Sequence, residues 1–398
     1  MSDLPKHTLT PELALRRGVD QILPNANALA NEMQQRSIRL YLGIDPTGNQ
    51  LHLGHAVVLR KLQQFAELGH EVILLIGNGT VKIGDPTGKD KTRPMITDEE
   101  IEANFQTWKE QASTILDFDK ITLRRNGEWY DQMNFSELIR LFSNMTVQQL
   151  MERDMFQERL KNNAPIHAHE ILYPILQGFD SVAMEVDLEI GGTDQIFNMM
   201  VGRQMLKSMK DREKWVLAVP LLIGTDGRKM GKSLGNYIAL TEAPREMYGK
   251  LMSVTDEIIT QYFRLLTDVA DEVIDDMDVQ MANGANPMEF KKQLAFTITA
   301  DLHDEDAARD AQAYFERTVQ QGEVPKNMPA IAVAGQELSV LDLVMATEVP
   351  ASRSEGRRLI EQGGVSLDDQ KLTDPTAEVS LESGSILKVG KRNWFRIK

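Results

Sequence analysis

Apolar positions along this chain follow two spacings. Ile38–Ile44, Val72–Ile76 and Val216–Ile223 are short, nearly continuous apolar runs, the mark of strands covered on both faces. Ile121–Leu123 and Leu188–Ile190 add two more. Between them lie stretches of helical spacing: Ala56–Leu68, most of 97–160 and Tyr173–Val182. Thr97-Asp98-Glu99-Glu100 has the form of a capped helix start. Strands alternating with helices predict a mostly parallel sheet with helices on both faces, hence an α/β domain. Residues 1–37 read as a leading helical segment. After Asn236 the pattern becomes almost wholly helical over 242–320, including Ile258–Leu266 and Pro287–Val319. Gly322–Gly335, rich in Gly, Pro and Ala, reads as a linker, and the remainder closes in alternating strands over Ser385–Ile397.

The loop after the first strand is Asp45-Pro46-Thr47-Gly48-Asn49-Gln50-Leu51-His52-Leu53-Gly54-His55. It lies at the carboxyl end of a strand and the start of a helix, where open parallel sheets bind ligands. Helix starts leave backbone N–H groups unpaired, a setting that favours phosphate. His52 and His55 are spaced to face one ligand, as phosphate or ribose contacts, as metal ligands or as packing groups. His167-Ala168-His169-Glu170 reads as a surface cluster at a helix start.

Composition narrows the classes. With 398 residues the chain is long enough for more than one domain, and the absence of cysteine excludes disulfides, thiolate zinc sites and a cysteine nucleophile. No apolar run reaches membrane-spanning length and no positively flanked signal sequence opens the chain, so a cytoplasmic protein that does not engage membranes is expected. The formal charge of −15 argues against nucleic-acid binding by bulk electrostatics. Residues 351–398 differ locally, with nine Lys and Arg against seven Asp and Glu. The 20 methionines, Met199, Met200 and Met205 among them, read as core filling.

Two basic segments follow strands. One is Ile83–Pro94, dense in cations. The other is Gly227-Arg228-Lys229-Met230-Gly231-Lys232-Ser233-Leu234-Gly235-Asn236, which misses a Walker loop because Asp226 stands where the opening glycine belongs. It is either a cationic loop that closes over phosphates or a solvated basic turn. Asp45, Asp85, Asp180 and Asp194 cap turns or face a ligand. With Tyr41, Tyr173, Gln177 and Gln195 they would suit an amine, a carboxylate and a hydroxyl.

Taken in order, these segments resemble the bacterial tyrosyl-tRNA synthetases, class I aminoacyl-tRNA synthetases. His52-Leu53-Gly54-His55 matches the first class signature and Lys229-Met230-Gly231-Lys232-Ser233 the second, with Gly231 where serine is common. Tyr41–Thr47, Gly84–Lys89, Tyr173–Asp180 and Gly191–Gln195 match the tyrosyl branch. Ser352–Val365 is similar to an S4 RNA-binding module.

The resemblance implies a Rossmann-like catalytic domain at 1–236 with a dimerisation insertion around 130–165. A helical domain that binds the tRNA anticodon region would follow at 237–321, then a linker at 322–336 and an S4-like α+β domain at 337–398. It implies activation of L-tyrosine by ATP, with Mg²⁺ carried mainly by the ATP phosphates and no metal held by the protein, then transfer to tRNA(Tyr) by a homodimer. His52, His55, Thr47, Lys229 and Lys232 would be catalytic. Gly43, Asp45, Gly54, Lys89, Arg93, Gly191, Gly192, Asp194, Met230 and Ser233 would contact ATP. Tyr41 and Asp180 would read the phenolic hydroxyl, Asp85, Tyr173 and Gln177 the ammonium, and Gln195 the carboxylate. Arg353, Arg357 and Arg358 would meet RNA. Two alternatives stand beside this reading: a tryptophanyl-tRNA synthetase, and a nucleotide- and RNA-binding homologue without catalysis.

Overall fold

A computed structural model describes residues 4–86, 96–324, 328–333, 337–350, 352–390 and 393–398. Lys89 and Arg93 lie outside the described residues. The chain forms two compact units, one of residues 1–243 and 250–305, the other of 244–249 and 306–398. The helical stretch expected at 237–321 is thus shared between them.

The first unit is built on a six-stranded sheet of β1 (Gln21–Leu23), β2 (Arg39–Ile44), β3 (Glu71–Ile76), β4 (Ile121–Arg125), β5 (Leu188–Gly192) and β6 (Trp215–Val219). Their spatial order is β1-β6-β5-β2-β3-β4, and all neighbours are parallel except β1 and β6. The apolar runs become these strands because both sheet faces are covered: Leu40, Leu74, Leu188 and Leu217 are essentially inaccessible to water.

The connecting helices are α1 (Pro11–Arg16), α2 (Ala26–Gln35), α3 (Leu53–Glu67), α4 (Asp98–Ala112), the short α5 (Gly127–Tyr130), α6 (Phe135–Phe142), α7 (Val147–Leu150), α8 (Asp154–Lys161), α9 (Ala168–Met184) and α10 (Ile196–Lys210). The predicted start of α4 is present. The Thr97 hydroxyl accepts from Glu100 N at 3.2 Å, and the Glu100 carboxylate accepts from Thr97 N at 2.9 Å.

Three expectations change. The leading segment is not only helical, because Gln21–Leu23 joins the sheet edge against Val216–Ala218. A three-residue strand is too short to carry its own periodicity, and its pairing partner lies almost 200 residues away. The strand expected over Val216–Ile223 stops at Val219, and Ile223 instead bridges Lys229. In the cluster at 167–170, Glu170 is buried rather than on the surface, paired with Arg159 at 2.8 Å while accepting from His167 N at 2.8 Å.

The second unit has a small β-rich end. Its five-stranded sheet runs Gln370–Leu372, Val365–Leu367, Ile386–Val389, Asn393–Ile397 and Ala330–Ile331, with Glu337–Ser339 and Glu378–Ser380 paired separately. Ala330–Ile331 lies in the stretch expected to be linker, yet it pairs in parallel with Arg396–Ile397. Val340, Leu343, Val344, Ile360, Leu387 and Val389 form the core beneath the helix Arg353–Glu361.

Candidate active site

In the first unit the chain turns outward in opposite directions from β2, toward β3 and β4 on one side and toward β5 and β6 on the other. The crevice at the carboxyl ends of β2 and β5 is therefore a topological switch point. A cavity of about 250 Å³ opens there. It is lined by Tyr41, Gly43, Asp45 and Thr47 after β2, by His55, by Tyr173, Gln177 and Asp180 on α9, and by Gly191, Gly192 and Gln195 after β5.

His52 and His55 close the start of α3 on themselves. His52 Nδ1 accepts from Gly54 N at 3.1 Å, and His55 Nδ1 accepts from His52 N at 3.1 Å. Leu53 N donates to Ile238 O and His55 N to His52 O. The unpaired N–H groups expected at this helix start are thus already taken, which corrects the phosphate cradle inferred from the backbone. What remains comes from the rings. Since each Nδ1 accepts, each neutral imidazole carries its proton on Nε2. Burial pulls His52 down to about 4, helped by Lys232 and Lys229, and pulls His55 well below its ordinary value, so both are uncharged at neutral pH. Gly54 is needed inside the protein, because a Cβ there would stand 2.9 Å from the His52 ring.

Helix α4 props this loop. Asn104 donates to Pro46 O at 3.1 Å, Gln111 donates to Asn49 O at 2.7 Å and accepts from Leu51 N at 2.6 Å, and Trp108 donates to Gly48 O. On the other side the segment after the basic loop is stitched to it, with His52 bridging Ala239 and Tyr237 donating to Gln50 at 3.1 Å.

The basic loop is a hairpin held by Asn236. The Asn236 amide donates to Asp226 at 2.6 Å and to Lys229 O at 3.0 Å, and accepts from Gly231 N at 2.9 Å. Met230 is buried and anchors the hairpin through its backbone, with Met230 N donating to Leu222 O, whereas Lys232 and Ser233 are exposed. Lys229 meets Asp194 at 2.9 Å, and the Lys232 ammonium would lie 3.3 Å from a Cβ at Gly48. Gly231 has an extended backbone at φ −169° with nothing within 4 Å of a Cβ. Gly231→Ser should therefore fold as the wild type, with a stability gain of at most about 1 kcal/mol from a stiffer unfolded chain. Thermal denaturation checks this.

The floor of the cavity is a polar network. Asp180 accepts from Trp129 Nε1 at 3.0 Å, Tyr130 at 2.8 Å and Asn126 at 3.2 Å, and burial pushes its carboxyl up to about 8 although those donors favour the charged form. Tyr173 donates to Asp45 at 2.8 Å, whose other oxygen accepts from Thr80 at 2.8 Å. Gln195 donates to Asp85 at 2.8 Å. Tyr41 is bonded to Ser181 at 3.0 Å.

A family model for class I tRNA synthetases of the W and Y type matches residues 33–320, and a model for the tyrosine--tRNA ligase SYY-like C-terminal domain matches 319–397. The tyrosine--tRNA ligase of Thermotoga maritima is 44% identical over 394 residues, covering 98% of each chain. That of Bordetella pertussis is 42% identical, covering 99% of this chain and 98% of the other. The chain belongs to the class I tyrosyl-tRNA synthetase family. The Archaeoglobus fulgidus tyrosyl-tRNA synthetase, solved with L-tyrosine, shares the fold at TM-score 0.60 and 20% identity, covering 75% of this chain and 98% of that one. A tryptophanyl-tRNA synthetase from Plasmodium falciparum shares it at TM-score 0.56 and 16% identity, covering 72% and 80%.

Within this synthetase fold the candidate tyrosine-contacting residues, with Gly43, Asp45, Thr47, His55, Gly191 and Gly192, line one crevice, and His52, Lys229 and Lys232 belong to the loops beside it; Arg353, Arg357 and Arg358 lie in the second unit. Sequence reading missed Asn126, Trp129, Tyr130, Thr80, Ser181, Glu189, Asn198 and Lys214. Most of these reach the site from segments that read as ordinary helix or strand, and Gly77-Asn78-Gly79-Thr80 was the one local signal, a turn directly after β3. In the second unit Arg353 is paired with Asp342 at 2.7 Å, while Arg357 and Arg358 are exposed on the same helix.

Proposed function

We propose that this chain activates L-tyrosine with ATP to tyrosyl-adenylate and pyrophosphate, then passes the tyrosyl group to the terminal ribose of tRNA(Tyr). The observation that carries the reading is that the first signature is bonded, backbone to backbone, to Ile238–Leu240 just beyond the second, at a crevice whose floor holds Asp180. ATP–pyrophosphate exchange tested with tyrosine, tryptophan and phenylalanine decides it. Exchange driven by tyrosine is expected; exchange driven only by tryptophan, or by none, overturns it.

In this reading the tyrosine carboxylate oxygen attacks the α-phosphorus, and the bond to the bridging oxygen of pyrophosphate breaks. No protein nucleophile is required, so the protein positions the reactants and stabilises developing charge. The Nε2–H groups of His52 and His55 are neutral donors suited to the α-phosphate oxygens. Thr47 stands at the pyrophosphate side. Lys229 and Lys232 would exchange their present neighbours for the β- and γ-phosphates, and Gly43, Gly191, Gly192 and Asp194 would frame the adenosine. Lys89 and Arg93 are proposed as further phosphate contacts. Mg²⁺ would arrive on the ATP phosphates and neutralise charge there; among the described residues no group of three or more His, Asp or Glu is gathered for a metal.

At the amino-acid end, Asp180 and Tyr41 face the phenolic hydroxyl, Tyr173, Gln177 and Asp85 the ammonium, and Gln195 the carboxylate. A homodimer is supported by the exposed apolar side chains Phe135, Ile139, Val147 and Leu160 on the insertion helices. The S4-like assignment and RNA contact through Arg353, Arg357 and Arg358 rest on sequence similarity. Such arginines would hold phosphates rather than read bases. Truncation after Gln321 should leave tyrosine-dependent exchange largely intact and impair tRNA charging. Equal loss of both would count against this division.

A further inference from the structure

Lys214 and Glu189 form an ion pair beneath the amino-acid pocket, both essentially inaccessible to water. The Lys214 ammonium also donates to Ser181 at 2.7 Å and to Met199 O at 3.1 Å, which uses its three protons. Glu189 has a second oxygen, and this accepts from Gln177 Nε2 at 3.1 Å. The chain of bonds then continues. Asn198 Nδ2 donates to Gln177 Oε1 at 2.8 Å and to Gln195 Oε1 at 3.0 Å, and Gln195 Nε2 donates to Asp85 at 2.8 Å.

The polarity of this chain is not arbitrary. An ammonium can only donate and an ionised carboxylate can only accept, so the two ends are fixed. Glu189 therefore requires the NH₂ of Gln177 on its side, which turns the Gln177 carbonyl toward Asn198. Asp85 likewise requires the NH₂ of Gln195. Two carbonyls then face Asn198, which is fully buried and bonds through its NH₂; among the described residues its Oδ1 has no hydrogen-bond partner. Flipping any one amide would set NH₂ against NH₂ or carbonyl against carbonyl.

We propose that Glu189, held by Lys214, and Asn198 are positioning residues that set the amide polarity of the tyrosine pocket. With this polarity Gln177 offers a carbonyl lone pair to an ammonium, and Gln195 offers its second N–H to a carboxylate. Gln177 and Gln195 line the cavity, as does Glu189, whereas Asn198 and Lys214 do not; Glu189 and Asn198 act through the two glutamines, which would meet the ligand. The same logic reaches Tyr41. Ser181 Oγ accepts a hydrogen bond from Lys214 and is placed to donate to Glu189 at 3.3 Å, so Tyr41 donates to Ser181 and keeps a lone pair for the phenolic hydroxyl of the ligand.

This inference rests on the tyrosine-activation reading. The test is steady-state ATP–pyrophosphate exchange on the full chain. Tyrosine-driven exchange by the wild type is measured first, because its absence refutes that reading and not the polarity argument. The double variant Glu189→Gln/Lys214→Met removes both charges without stranding either. It should raise KM for tyrosine about tenfold or more, the scale of losing a hydrogen bond to a charged group, with KM for ATP within about twofold of wild type on the same ground. Asn198→Asp leaves the ion pair intact, presents acceptors to two carbonyls and should give the same tyrosine-specific rise; it serves if the double variant does not fold. A folded variant with unchanged KM for tyrosine, or with both KM values raised alike, overturns the proposal.

Discussion

Asp180→Ala should abolish practical tyrosine activation, with kcat/KM for tyrosine in pyrophosphate exchange falling on the order of 10³-fold or more and KM for ATP little changed. A pocket built to bond a hydroxyl rejects an analogue lacking it by about 10⁴–10⁵, because its polar groups would be left unpaired. Removing Asp180 dismantles that discrimination from the protein side. It also strands Trp129 Nε1, the Tyr130 hydroxyl and the Asn126 amide, each of which loses its acceptor on Asp180. An unmade buried hydrogen bond costs about 1–3 kcal/mol, so the variant should also unfold at lower denaturant. Tyr130 can turn its one proton wholly to Leu176 O, and Asn126 donates also to Thr80, which limits the loss.

The pH dependence separates the two effects. Burial raises the folded-state value of Asp180 to about 8 from an ordinary 3.8. Between those values the folded state holds the proton better than the unfolded state, so this group's contribution to stability is full below about 4 and is lost as pH rises through about 8. The stability gap between wild type and Asp180→Ala should therefore be widest below about pH 4 and narrow steadily toward pH 8 in urea unfolding. Near-wild-type exchange with tyrosine by the folded variant would refute the assignment of Asp180 to the phenolic hydroxyl.

His52→Asn and His55→Ala should each lower kcat for adenylate formation by about 10²–10³, the usual loss when one preorganised donor to a developing anion is removed. His52→Asn is the cleaner of the two. Asparagine caps helices well, so the start of α3 survives while the Nε2–H is lost. His55→Ala also frees the His52 N–H and should cost stability on the scale of a lost cap, about 0.5–2 kcal/mol. Because burial holds His52 at about 4 and His55 well below its ordinary value, the exchange rate should show no histidine limb between pH 5 and 8. Stability behaves differently. Below about 6.5 the unfolded histidines take up protons that the folded ones refuse, so stability falls as pH drops from there toward 4, by about 1.4 kcal/mol per pH unit for His52, with His55 acting in the same direction. Urea unfolding of His52→Asn should show a shallower acid slope than wild type. An unaltered slope would show that His52 titrates normally.

Much of this was legible in the sequence because it is local. The βαβ unit follows from two apolar runs flanking a helical period, and the Thr97 cap from four consecutive residues. Gly191–Gln195 announced a turn at the end of a strand. Elements that depend on a distant partner were not legible. Gln21–Leu23 is a strand because Val216–Ala218 offers it an edge, and Ala330–Ile331 because Arg396–Ile397 does. The props of α4 under the first signature loop connect residues about 60 positions apart, and nothing in Asn104, Trp108 or Gln111 taken singly indicates it.

The first signature shows the division most clearly. Order and identity of residues alone determined that His52 and His55 sit at a strand-to-helix turn, opposite a lysine-bearing loop, in a tyrosyl-tRNA synthetase scaffold. The tertiary structure decided that the backbone there is already satisfied, that both rings are neutral and that their protons lie on Nε2. It likewise decided which way the amides of Gln177, Asn198 and Gln195 point. Charge state, tautomer and donor direction depend on desolvation and on which groups arrive within about 3 Å, and those groups come from segments that only folding brings together.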